Sequence, residues 1–314
     1  MKKLALPLLA LIVILGFAFG CASGYTPAPG PDTSPATTEQ PTVPATSPAP
    51  ASTPESPSPS TPTQGELKVH FIDVGQGDAT LLQGPDFTIL IDAGRHDRSD
   101  VVPYLKSAGV KTIDLLIGTH PHADHIGQFP QVIEAFPVGE VWLSGDTTTT
   151  RTFERAIDAI EASDAGYHEP RAGETFSFGS ARIEVLNPAR LTGNLHEGSI
   201  SVRIVYGSFT ALFTGDAEAE TETAILARQP DVNALILQLG HHGSSTSSSA
   251  EFLKAVNPEV AVYSAAEGNS YGHPHEVVLE RLRQMGVQIY GTDVNGTIMV
   301  ITDGQTYEVQ AQRR

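Results

Sequence analysis

The sequence predicts one globular domain of the α/β (α+β) class over residues 66–314, built as an αββα sandwich with two sheets face to face and helices outside. Three observations carry this expectation. Composition changes abruptly at Glu66, from Pro/Ser/Thr-rich to globular. Short β-patterned runs and amphipathic helical stretches then succeed one another to the end of the chain. The order of strands followed by interspersed helices also repeats after about 110 residues, as two similar halves require.

Before Glu66 the chain reads as an address and a tether. Lys2 and Lys3 precede an apolar run from Leu4 to Phe19, followed by Gly20-Cys21-Ala22-Ser23. A short basic stretch, an apolar core and small residues make an export signal. The core falls short of the roughly 20 residues that a spanning helix needs. Residues 22–65 hold 12 of the 23 prolines and no apolar periodicity, so they cannot bury enough surface to fold. In the extended polyproline form, at about 3.1 Å per residue, this stalk reaches on the order of 100 Å.

The folded part opens with Leu67–Asp73, which alternates like a half-buried strand and carries His70 as a structural residue. Strands at 78–82 and 87–92 follow at hairpin-like spacing. A helix over 99–108 starts at Ser99 or Asp100. The apolar run Ile113–Gly118 reads as a buried strand, with a helix opening near Ile126 and ending before Pro137. A short strand at 141–143 and an amphipathic helix at 152–162 complete the first half. Strands at 175–178, 182–186, 200–206 and 209–214 open the second. Helix 217–228 starts with Glu218, Glu220 and Glu222, acidic residues suited to the positive end of a helix dipole. A strand at 234–239, a helix near 249–256, a strand at 260–264, a helix at 275–285 and short final strands follow.

Charge and cysteine count narrow the chemistry. With 36 acidic against 19 basic residues the net charge is −17, which argues against a broad basic face gripping nucleic-acid phosphates. Cys21 is the sole cysteine, so any metal site must use nitrogen and oxygen ligands. The strand at 113–118 ends in Thr119-His120-Pro121-His122-Ala123-Asp124-His125-Ile126-Gly127. Three imidazoles and a carboxylate in six residues form a ligand set suited to zinc and related divalent ions. On a loop, alternating residues share a side, which assigns His120 and His122 to one ion and Asp124 with His125 to another.

Five further stretches add candidates. Asp73-Val-Gly-Gln-Gly-Asp78 is a tight turn between strands, and Ile91-Asp92-Ala93-Gly94 places a carboxylate at a strand end. Phe213-Thr-Gly-Asp216 runs a strand into an exposed carboxylate. Gly240-His241-His242-Gly243-Ser244-Ser245 follows a strand, and adjacent histidines do not both face one ion easily. His242 is the favoured ligand and His241 the substrate-side imidazole, with the reverse assignment left open. Asn269-Ser-Tyr-Gly-His273-Pro-His275 closes the set, with His275 near a helix cap. His96 and His168 read as ordinary loop residues.

Together these motifs resemble the metallo-β-lactamase fold superfamily over essentially all of 66–314. The chain is similar to the metallo-β-lactamase-like domain of the ComEC competence proteins, without their membrane channel, and more distantly to cell-surface phosphorylcholine esterases. The resemblance implies an αββα metallo-β-lactamase-like sandwich with two divalent metal ions, zinc or manganese. It implies that Asp216 bridges the ions, that Asp73, Asp78 and Asp92 stand behind the ligands and orient them, and that His273 faces substrate. The family often supplies a further ligand to the first metal before the bridging aspartate. Here His196, in Gly193-Asn194-Leu195-His196-Glu197-Gly198-Ser199, lies near that place. The stretch around Cys21 resembles a bacterial lipoprotein signal, implying cleavage before Cys21, a lipid anchor on its thiol and residence on the outer face of the membrane. Ala18-Phe19 departs from that pattern.

Two divalent ions about 3.5–4 Å apart bring the pKa of bound water towards ~7 and clamp attacking and leaving oxygens. The expected activity is hydrolysis of a phosphodiester or related ester by a di-metal-bound hydroxide, with Asp124, His241 and His273 as the catalytic set. Nucleic acid, a phosphorylcholine ester and a cell-wall polymer all remain candidate substrates, and a tethered binding protein on the same scaffold is the non-enzymatic alternative. A β-lactamase fits poorly, because antibiotic-cleaving members commonly carry Cys in place of Asp216 and lack the His-His-Gly-Ser stretch.

Overall fold

Leu67, Val69 and Phe71 alternate with Lys68 and His70, and this period of two starts the first of two sheets. The structure, a computed structural model, describes residues 65–229 and 231–313. The expected signal, Cys21 and the stalk through residue 64 lie outside the described residues. In chain order β1 (Leu67–Phe71), β2 (Thr80–Gln83) and β3 (Thr88–Ile91) form a meander, followed by α1 (Val101–Ser107) and β4 (Ile113–Gly118). α2 (Phe129–Ala135), β5 (Val138–Leu143), α3 (Arg151–Glu161) and β6 (Gly166–His168) complete the first half. A second meander comprises β7 (Thr175–Phe178), β8 (Ala181–Asn187), β9 (Ser201–Tyr206) and β10 (Phe209–Phe213). α4 (Ala219–Arg228), β11 (Ile236–Gln238), α5 (Ala250–Val256), β12 (Val260–Tyr263), α6 (Glu276–Gln284) and β13 (Gln288–Gly291) alternate after it. The short α7 (Thr292–Asn295) leads to β14 (Ile298–Thr302) and β15 (Tyr307–Ala311).

The first sheet has the order β15-β14-β1-β2-β3-β4-β5-β6 and the second β13-β12-β11-β10-β9-β8-β7. Three apolar layers hold the sandwich. Phe71, Trp142, Tyr206 and Phe213 belong to the layer between the sheets. Leu105, Phe129 and Ile160 fix α1, α2 and α3 to the outside of the first sheet, and Ile225, Phe252 and Leu282 fix α4, α5 and α6 to the second. Each such side chain contributes about 1.5–3 kcal/mol when fully buried. This is the αββα arrangement expected from the repeat of strand runs and helices.

The parallel strands decide where a site forms. β3 pairs parallel with β4, and β4 with β5. In the other sheet β10, β11 and β12 are parallel neighbours. Their carboxyl ends therefore leave each sheet on one edge, where loops of α/β sheets collect ligands. The loops after β3, β4, β10 and β11 carry Asp92, the His-rich motif, Asp216 and the His-His pair respectively.

Three local expectations need correction. The helix near Ile126 begins only at Phe129, because the chain turns tightly before it: Gly127 lies so close to the His96 backbone that a Cβ there has no room. His168 is no loop residue but ends the edge strand β6, with Nε2 3.2 Å from Glu174. The short α7 was not expected.

Candidate metal centre

The His-rich loop is bolted to the loop after β3. Ala93 N–H donates to the His125 carbonyl at 2.6 Å, and Gly127 N–H to the Gly94 carbonyl at 2.9 Å. His125 and Ile126 N–H both donate to the His122 carbonyl, closing a turn that gathers His120, His122, Asp124 and His125. His120 and His125 are fully enclosed, whereas His122 and Asp124 border a cavity of about 430 Å³.

Asp216, expected from sequence as an exposed carboxylate, is buried and stands between two sets of imidazoles. Its Oδ2 lies 3.5 Å from His120 Nε2 and 3.8 Å from His241 Nε2. Its Oδ1 lies 3.3 Å from His125 Nε2 and 3.9 Å from His242 Nε2. On the first side, His120, His122, His196 and Asp216 bring one donor atom each within 4.8 Å of one another. His196, whose place was unsure from sequence, is thus brought into this group. On the second side, Asp124 Oδ2 sits 3.5 Å from His242 Nε2. Asp78 also reaches the second group, but from behind, with Oδ2 3.9 Å from His125 Nδ1 and 3.7 Å from His242 Nδ1. Asp124 therefore fronts the site while Asp78 backs it.

Most of the imidazoles are held by their outward nitrogen. Asp92 accepts from His125 Nδ1 at 2.8 Å, and also from the Thr119 amide and hydroxyl at 2.8 Å each. His242 Nδ1 donates to the Ser264 carbonyl at 2.9 Å, and His120 Nδ1 lies 3.2 Å from Thr119 Oγ1. Gln238 donates to Asp78 at 3.0 Å and accepts from the Thr214 amide at 3.0 Å, tying the two sheets together behind the site. Such partners fix tautomer and ring orientation in metal sites.

Three of the atoms facing inward lack a hydrogen-bond partner. His125 Nε2, His242 Nε2 and Asp216 Oδ1 are buried without a hydrogen bond. Leaving such groups unpaired costs about 1–3 kcal/mol each, so their convergence on one spot is the mark of a site built for a cation. Electrostatics agree. Burial opposes ionisation of Asp216, but the imidazoles of His125, His242 and His120 hold its carboxyl well below the ordinary range. Burial likewise opposes charge on His242, yet Asp216 and Asp78 raise it to about 9. Burial pushes the Asp78 carboxyl up to about 6, against His242 and His125. The donor set, all nitrogen and oxygen, fits two divalent ions, and these His/Asp clusters suit a dimetal site.

His241, His273 and Tyr271 line the cavity beside the donors, together with Gln76 and Thr150. Burial and the neighbouring His242 lower His273 to about 4, so its imidazole is neutral at neutral pH. His275 turns away and accepts from the Ser245 amide at 2.8 Å. His96 is an exposed loop residue. Asp73 is a correction: it does not stand behind any of these imidazoles. Its carboxylate accepts from the Gly75 amide at 3.2 Å and faces Arg313 at 3.2 Å, on the side away from the donors. Glu218, read from sequence only as a helix-start acid, lies between His196 and His241.

A fold and site of this kind define a metal-dependent hydrolase scaffold, and comparison with known proteins names its family. A sequence model of the metallo-β-lactamase superfamily matches residues 72–267. The chain belongs to the metallo-β-lactamase superfamily. It is 29% identical over 260 residues to ComE operon protein 3 of Bacillus subtilis (strain 168), covering 76% of this chain and 33% of that protein. It is 31% identical over 244 residues to competence protein ComA of Neisseria gonorrhoeae, again covering 76% of this chain and 33% of the relative. The chain thus spans about a third of the length of these relatives. Among solved structures, the metallo-β-lactamase fold protein YhfI of Bacillus subtilis superposes with a TM-score of 0.50 at 15% identity, over 72% of this chain and 95% of YhfI. Among the described residues no helix is long and apolar enough to cross a membrane.

Proposed function

We propose that the chain is an exported, lipid-tethered hydrolase that cleaves phosphodiester bonds with two divalent ions, zinc or manganese. The observation that carries this reading is Asp216, with one oxygen turned to each of two imidazole sets and Oδ1 buried without a partner. His120, His122, His196 and Asp216 would hold one ion, and Asp124, His125, His242 and Asp216 the other. Such ions supply Lewis acidity and a low-pKa water at neutral pH.

The protein's own part is orientation. Asp92, the Ser264 carbonyl and Thr119 engage the outward Nδ1 of His125, His242 and His120, which turns their Nε2 atoms to the centre. The neutral His273 stands at the cavity wall beside His241, placed to donate to a phosphoryl oxygen as charge develops. The names of the relatives, competence proteins, support nucleic acid as the polymer. The net charge of −17 supports a phosphate gripped locally by the centre rather than along a broad basic face. That same charge favours, as a second reading, an esterase of phosphorylcholine or wall-borne phosphodiesters.

Cleavage of bis(p-nitrophenyl) phosphate by the zinc- or manganese-loaded chain tests the class. Turnover abolished by a chelator and restored by metal is expected. Full turnover in the presence of chelator, or none on any phosphodiester, would overturn it. Single-stranded DNA against p-nitrophenyl phosphorylcholine then separates the two substrate readings.

A further inference from the structure

Five imidazoles of the centre differ in what meets their Nδ1. His120, His125 and His242 have their outward Nδ1 anchored by Thr119, Asp92 and the Ser264 carbonyl. His196 lies in a turn after β8, and His241 in a 3-10 turn with φ 51°. Both present Nδ1 to one carboxylate oxygen: Glu218 Oε1 is 3.5 Å from His196 Nδ1 and 3.4 Å from His241 Nδ1. The two rings are 4.6 Å apart between centroids, so one carboxylate lies within reach of both. His241 Nδ1 has a second neighbour in Thr246 Oγ1 at 3.2 Å. Glu218 is itself fixed as the residue before α4, where its backbone carbonyl accepts from the Glu222 amide at 2.9 Å and its neighbour Ala219 donates to the Thr246 carbonyl at 2.9 Å.

We infer that Glu218 is a positioning residue, which keeps the proton on Nδ1 of both His196 and His241 and so leaves their Nε2 lone pairs for the centre. A helix-start acid needs no such neighbours, since a dipole interaction is satisfied by any carboxylate in the first turn. Glu220, exposed in that same turn, is the built-in comparison. The inference rests on the metal-centre reading above.

The test compares the full chain in detergent with Glu218→Gln and Glu220→Gln, each of which removes one negative charge from the start of α4. Long-range imidazole ¹⁵N spectra of the metal-free protein read the tautomers, and zinc competition with a chromophoric chelator reads affinity. Glu218→Gln is expected to remove the Nδ1–H signature of His196 and His241 and to weaken one zinc about 10–100-fold. Its kcat on bis(p-nitrophenyl) phosphate falls while Glu220→Gln leaves all three readouts unchanged. Identical spectra and zinc affinity in the two variants would overturn the inference. If the parent chain binds no zinc, the metal-centre reading fails on its own, and the spectra still decide the role of Glu218. Glu218→Asp, which keeps the charge but shortens the reach, reads the same contrast should the Gln variant not fold.

Discussion

Replacing Asp92 by Asn exchanges one carboxylate oxygen in the wall of the centre for an amide nitrogen. Asp92 is 1% exposed and accepts three hydrogen bonds, each of 2.8 Å. Its φ is 58°, a region that Asn tolerates well, so backbone strain does not change. If the Asn oxygen keeps the Thr119 amide, its NH₂ faces Thr119 Oγ1 and His125 Nδ1. The hydroxyl can rotate to accept, but the imidazole must give up its Nδ1 proton and carry it on Nε2, the atom that faces Asp216. Loss of one charged hydrogen bond costs about 1.5–3 kcal/mol of stability. Metal binding must further expel the Nε2 proton, for an affinity loss of about 10–100-fold at the second site. Urea unfolding and zinc competition measure the two effects. Asp73→Asn is the control, because its exposed contact with Arg313 contributes no more than about 1 kcal/mol. Wild-type zinc affinity in Asp92→Asn, or equal weakening by Asp73→Asn, would refute the reasoning.

Three further outcomes follow from the same structure. Gly77→Ala places a Cβ against the Asp124 carbonyl at a φ of +129°, so the His-rich loop must move. The expected result is loss of the second zinc, read by native mass spectrometry, and unchanged zinc content would count against this packing. Burial, with Lys68 nearby, lowers His70 from 6.5 to about 4. As pH falls the unfolded chain is protonated first, so stability is lost between about pH 6.5 and 4. The loss is about 3 kcal/mol. His70→Gln removes that share of the acid sensitivity in urea titrations, and identical pH dependence in the two proteins would sink the assignment. Chelation exposes the unpaired His125 Nε2, His242 Nε2 and Asp216 Oδ1. At free zinc of 100 times Kd, each ion lost removes about 2.7 kcal/mol. Calorimetry should show a clear drop in Tm, and an unchanged Tm would contradict a built site.

The sandwich was legible because its strands obey simple periods and its helices carry ordinary caps, such as Ser249, which accepts from Phe252 N–H at 3.3 Å. His120, His122, Asp124 and His125 were legible because four donors in six residues have few other uses. Asp73 misled, since its motif does reach the centre through Asp78 while its own side chain leaves on the opposite side. No sequence period marks that reversal in a Gly-rich turn. Glu218 was hidden for a related reason. An acid at a helix start has an adequate local explanation, and only tertiary structure brings His196 and His241 to it. The start of α2 was displaced by packing of Gly127 against the loop after β3, a long-range contact that outweighs local helix preference.

In the proposed centre Asp216 joins two ions. Native mass spectrometry of the zinc-loaded chain, beside Asp216→Asn, tests it most directly. Two ions are expected in the parent protein and no more than one in the variant. Two ions retained by Asp216→Asn, or fewer than two in the parent, would contradict it.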